Sequence, residues 1–94
     1  MIKYIVKFSS KFKKSLKNIT KQGKDIDKLM MVVTKLANKE KLDMKYKNHR
    51  LIDDQYFFGC YECHIEPDWL LVYKYLESDL VLLLVQTGSH SDLF

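Results

Sequence analysis

The stretch Trp69-Leu70-Leu71-Val72-Tyr73-Lys74-Tyr75-Leu76-Glu77-Ser78-Asp79-Leu80-Val81-Leu82-Leu83-Leu84-Val85-Gln86-Thr87 decides the fold. Trp69 to Tyr75 is aromatic and apolar, the composition of a strand that is at least half buried. Glu77-Ser78-Asp79 is a short polar break of turn-forming residues. Leu80 to Thr87 forms the next strand, and the unbroken apolar run from Leu80 to Val85 marks it as central and covered on at least one face. Upstream, Tyr56 to Ile65 has strand character interrupted at Gly59. Glu66-Pro67-Asp68 makes the turn into Trp69, since proline fixes its own φ and has no amide donor.

Toward the N-terminus the period changes. Ile2 to Phe8 reads as an opening strand, followed by Ser9-Ser10 as a helix N-cap. Phe8, Phe12, Leu16 and Ile19 then recur at helical spacing, with Lys11, Lys13, Lys14 and Lys17 on the other faces. Gly23 ends this helix. A second helix starts near Lys24 or Asp25, carries Ile26, Leu29, Met30, Val33 and Leu36 on its apolar side, and ends by Lys41. From Leu42 to Gln55 the chain is polar and aperiodic, and reads as a loop holding His49 and Arg50. The order is β-α-α-β-β-β with a short tail from Gly88 to Phe94. This is an α+β fold: a mainly antiparallel sheet, a two-helix hairpin on one face, and the other face open for function.

The chain has 94 residues, which is one domain spanning 1–94 and excludes a two-lobed enzyme. Sixteen basic side chains, of which Arg50 is the one arginine, face twelve carboxylates for a formal charge of +4. That balance suits a polyanionic or acidic partner. The longest apolar run is too short to span a bilayer, and Met1-Ile2-Lys3-Tyr4 lacks the layout of a signal peptide, so a cytoplasmic protein without a membrane partner is expected. Cys60 and Cys63 fall on opposite faces of a strand, which argues against a disulfide between them. A single cysteine pair beside His64 also lacks the paired spacings of a structural zinc site, and no metal is expected.

His49, His64 and His90 each sit beside a loop or turn. Histidine titrates near neutral pH and can serve as acid or base, although an exposed histidine without catalytic duty is the commoner case. The lysines of the first helix read either as phosphate contacts or as a solvated face. Phe94, at the end of the chain, has little core to join and can stack on a nucleobase.

Two blocks narrow this further: Glu62-Cys63-His64-Ile65-Glu66-Pro67-Asp68-Trp69-Leu70-Leu71-Val72-Tyr73, and Thr87-Gly88-Ser89-His90-Ser91-Asp92-Leu93-Phe94. Together with Asn48-His49-Arg50-Leu51 they closely resemble the YafQ branch of the RelE-type toxins, over nearly the whole length and in the same element order. The resemblance implies the toxin of a type II toxin–antitoxin pair, a ribosome-dependent endoribonuclease that cleaves translated mRNA. It implies His49, His64, Asp68, His90 and Phe94 as active-site positions, the histidines and Asp68 catalytic and Phe94 a substrate contact; Trp69, beside Asp68, reads equally as packing or as a substrate contact, and Arg50 is a candidate substrate contact that supplies positive charge. His64 and Asp68 would serve proton transfer, either directly or with Asp68 orienting an imidazole, His90 would act as acid or phosphate stabiliser, and His49 would hold the scissile phosphate. No metal or other cofactor is implied; the partners are a cognate antitoxin, the ribosome and mRNA.

The chain departs from the family pattern in three places. Tyr61 and Gln86 stand where arginines are usual, and Ile52-Asp53-Asp54-Gln55 adds length between His49 and His64. These departures leave a non-catalytic RNA- or protein-binding module as the alternative, and a ribosome-independent RNase as a third reading.

Overall fold

The computed structural model describes residues 3–51 and 57–94. Ile2, Tyr56 and the segment 52–55 lie outside the described residues. Among the described residues the elements are β1 (Ile5–Phe8), α1 (Ser10–Lys21), α2 (Ile26–Ala37), β2 (His49–Arg50), β3 (Tyr61–Glu66), β4 (Trp69–Leu76), β5 (Val81–Gly88) and α3 (His90–Leu93). Strands pair in the order β1-β5-β4-β3-β2, with β1 parallel to β5 and the other pairs antiparallel. The mainly antiparallel α+β sheet expected from sequence is present. The stretch from Leu80 to Thr87 does become an interior strand, between β1 and β4, but it starts at Val81. Leu80 adopts φ 51° in the turn and stays exposed.

Ser9 caps α1 as its sequence suggests: its hydroxyl accepts from the amide of Phe12 (3.0 Å) and donates to the carbonyl of Val85 (2.6 Å). The second bond ties the start of α1 to β5. Phe12, Ser15 and Ile19 are buried on α1, and Leu29, Val32, Val33, Leu36 and Ala37 on α2. Met30, expected on the apolar side of α2, is exposed, and Val32 is buried in its stead. This helix ends at Ala37, four residues before Lys41, because Lys39 turns left-handed (φ 57°) and its amide bonds back to Leu36.

Both helices close over one sheet face. Cys63, Ile65, Trp69, Leu71, Tyr73, Leu82 and Leu84 alternate inward along β3, β4 and β5 to meet them in one core. The opposite face is not wholly open. Phe57, Cys60 and Val72 form a second small cluster there, with Leu51, Val85 and Leu93 packed against it. Cys60 and Cys63 therefore sit in separate clusters, as their spacing predicts. No helix among the described residues is long and apolar enough to cross a membrane.

Two segments are more ordered than expected. His49–Arg50 is a short edge strand on β3, not a loop. The tail forms α3, a helical turn opened by a capping box: Ser89 Oγ accepts from the Asp92 amide (3.2 Å), and the Asp92 carboxylate accepts from the Ser89 amide (3.0 Å).

Candidate active site

Strand alternation puts Glu62 and His64 of β3 on the sheet face away from the helices. The pairing of His49 with Glu62 brings His49 onto the same face. Glu62 Oε1 lies 3.6 Å from Nε2 of His49 and 3.6 Å from Nε2 of His64. These separations exceed hydrogen-bond length and remain within strong coulombic reach. Each imidazole is held from its other nitrogen. Nδ1 of His49 donates to the carbonyl of Lys47 (2.7 Å), and Nδ1 of His64 donates to that of Pro67 (3.2 Å). Since a carbonyl oxygen only accepts, Nδ1 carries the proton on both rings and Nε2 is the nitrogen left to exchange one.

The carboxylate between the rings was not among the residues singled out from sequence. Glu62 is 5% exposed, and its Oε2 has no hydrogen-bond partner among the described residues. Its signal was the i, i+2 spacing of Glu62 and His64, which on a strand places both side chains on one face. Upstream, the Tyr73 hydroxyl donates to Asn48 Oδ1 and so fixes the approach to His49. Burial pushes the Tyr73 phenol well above its ordinary pKa, so this donor keeps its proton.

Asp68 and His90 meet, but not through the imidazole. Asp68 Oδ1 accepts from the backbone amide of His90 (3.0 Å), joining the β3–β4 turn to the start of α3. The His90 ring packs on Phe94 at 5.2 Å, and Phe94 contacts Phe57 edge-on at 5.6 Å. Phe94 is half exposed and presents ring surface to solvent.

Two expected substrate contacts lie away from the imidazoles. Trp69 is 0% exposed, and its indole donates to Thr87 Oγ1 (3.0 Å) inside the core. It packs there, the other of the two roles its sequence position allows. Arg50 pairs with Tyr61, so its side chain leaves β2 on the face opposite His49, beside Lys39 and Glu77. Tyr61, where the family pattern has arginine, stacks on Tyr73 at 5.7 Å. The nearer cations are Lys28, Lys45 and Lys47, which line a cavity together with His64. Cys63 is buried in the core, and burial together with the Glu62 charge pushes its thiol up to about 12. It is no nucleophile at neutral pH.

The family model described as "Bacterial toxin of type II toxin-antitoxin system, YafQ" matches residues 4–94. The mRNA interferase toxin YafQ of Escherichia coli (strain B / BL21-DE3) is 37% identical over 95 residues, covering 100% of this chain and 99% of that protein. A metal-bound toxin from Helicobacter pylori superposes with a TM-score of 0.90 at 42% identity, covering 97% of this chain and 99% of that one. YafQ in the E. coli DinJ-YafQ toxin-antitoxin complex superposes with a TM-score of 0.85 at 35% identity, covering 99% of each chain. With a match over nearly its whole length and a histidine–carboxylate cluster on its open sheet face, the chain belongs to the YafQ family of type II toxin–antitoxin toxins.

Proposed function

We propose that this toxin is an mRNA endoribonuclease that acts on message in the ribosomal decoding site by metal-independent acid–base chemistry, and that a cognate antitoxin holds it inactive. The convergence of His49 Nε2 and His64 Nε2 on one buried carboxylate carries the proposal. A module that only bound RNA would have no need to bury a carboxylate between two imidazoles.

Cleavage by this route makes the ribose 2′-oxygen the nucleophile. A base removes its proton, the new P–O bond forms as the P–O5′ bond breaks, and an acid protonates the departing 5′-oxygen. His64, with Nδ1 fixed by Pro67, takes the 2′-hydroxyl proton on Nε2. Glu62 stabilises the resulting imidazolium. His49 faces the phosphate, and His90 supplies the proton to the leaving oxygen. Phe94 stacks on a substrate base. Asp68 is given a positioning role, because its carboxylate fixes the first turn of α3 through the His90 amide.

The exposed lysines of α1 lie on the helix-covered side of the sheet, away from the imidazoles. They suit ribosomal RNA better than the scissile phosphate, so ribosome binding should weaken steeply with salt. The excess of basic charge equally suits an acidic antitoxin segment, and the site of action is the cytoplasm. Primer extension on total RNA after induction tests the proposal. Discrete cuts within translated messages are expected, abolished by His64→Ala and by co-expression of the neighbouring gene. A message left intact by the wild-type toxin sinks it.

A further inference from the structure

We infer that the cavity beside His64 is a nucleotide subsite that selects the base next to the cut; this deepens the nuclease reading and rests on it. The cavity encloses about 310 Å³ where α2, the 3-10 turn Met44–Tyr46 and the end of β3 meet. That volume is at the lower end for small-ligand sites and matches one nucleotide better than a larger ligand. Its floor is apolar, from Tyr46, Ile65 and Pro67. Lys45 and Lys47 line it too, as does Lys28, which is paired with Glu66 at 3.2 Å.

Three features give this cavity a reading role. First, it adjoins the proposed base directly: a register shift in β3 between His64 and Glu66 interrupts the strand's alternation, and the consecutive residues His64, Ile65 and Glu66 all border it. Second, its parts match those of a single-strand binding groove, apolar side chains for a base beside cations for the backbone phosphate. Third, the Lys28–Glu66 pair places an ammonium donor and a carboxylate acceptor together at the mouth, where they can read the hydrogen-bonding edge of a base. His90 opens α3 and Phe94 follows its end, so a strand crossing the imidazoles would meet the cavity at His64 and the Phe94 ring beside α3, placing one flanking base at each.

Two readouts test the subsite, one of them independent of catalysis. A 2′-O-methyl RNA trinucleotide, which cannot be cut, is titrated into the ¹⁵N-labelled toxin. Amide shifts at Tyr46, Ile65 and Glu66 are expected, with affinity falling by about tenfold in Lys45→Ala. Perturbations confined to α3 would overturn the subsite even if the wild type cuts message. Shifts at the cavity without any cleavage would support the subsite and instead overturn the nuclease reading. In the second readout, cleavage sites are mapped for Glu66→Gln and Lys28→Met. The expected result is a changed base preference at one position beside the cut. An unaltered preference in both variants would mean that the pair does not read the base.

Discussion

Oε1 of Glu62 lies 3.6 Å from Nε2 of His64, inside a sheet surface that leaves the glutamate 5% exposed. The same oxygen is 3.6 Å from Nε2 of His49. Such a carboxylate is costly to bury, because its Oε2 lacks a hydrogen-bond partner among the described residues. Stability and function should therefore respond to it with opposite signs. Glu62→Gln removes the charge, and Glu62→Met removes the polar atoms as well. The relief of an unsatisfied buried group is about 1–3 kcal/mol. Urea unfolding should show Glu62→Met at least as stable as wild type, while mRNA cleavage falls by more than tenfold. A variant that loses stability and keeps its activity would show that Glu62 is structural and not a partner to the imidazoles.

Asp68 separates positioning from proton transfer. Its contact is with the His90 amide, and a neutral side-chain oxygen can still accept that bond. Asp68→Asn should keep α3 docked and retain a substantial part of the activity. Asp68→Ala should lose most of the activity and the hydrogen-exchange protection of the His90 amide together. If Asn proves as inactive as Ala while that amide stays protected, Asp68 carries a proton itself.

The capping box gives α3 an acid limit. The Asp92 carboxyl is held below its ordinary value first by the Ser89 amide and then by the Ser89 hydroxyl. Because the folded-state pKa is depressed, the contribution of Asp92 is present above the ordinary carboxylate value of 3.8 and is lost as pH falls through the lower folded value. The Phe94 ring signals in NMR should thus move to a frayed position only in strong acid, while Asp92→Ala, which removes the acceptor, frays α3 at neutral pH. Gly88→Ala should act similarly. At Gly88 the backbone has φ 155°, and an added Cβ would lie 3.0 Å from Asp92 Oδ2.

How much of this was readable in the chain depended on whether a signal was periodic or paired. The stripe on α1 reported burial at Phe12 and Ile19, with Leu16 part buried and Phe8 exposed, and the unbroken run from Leu80 to Val85 reported it from Val81 onward, because side-chain period follows element geometry. His64 and His90 stood out as chemistry-bearing residues near strand ends. Glu62 was hidden among the charged residues of a basic chain, where glutamate is ordinarily a solvated surface group. Arg50 was misplaced because its face depends on the pairing of β2 with β3, and a two-residue edge strand has no periodicity of its own to reveal it. The S-x-x-D pattern of Ser89 and Asp92 was present, but it announces a helix of only one turn.

Trp69 and Arg50 provide the last test, since both were expected at the substrate. Trp69 is fully buried and donates to Thr87 Oγ1, whose own hydroxyl donates to the Leu70 carbonyl (2.7 Å). Trp69→Ala should destabilise the fold by about 3–5 kcal/mol through the cavity it leaves. Trp69→Phe should cost less, and the protein that remains folded should cut message at the wild-type rate. Arg50→Ala should also retain cleavage, because its side chain leaves the edge strand opposite His49. Activity is measured per folded molecule, with the folded fraction taken from circular dichroism. If Trp69→Phe loses activity without losing structure, the indole acts beyond packing, and its bond to Thr87, one residue before Gly88 and α3, is where that effect would be transmitted.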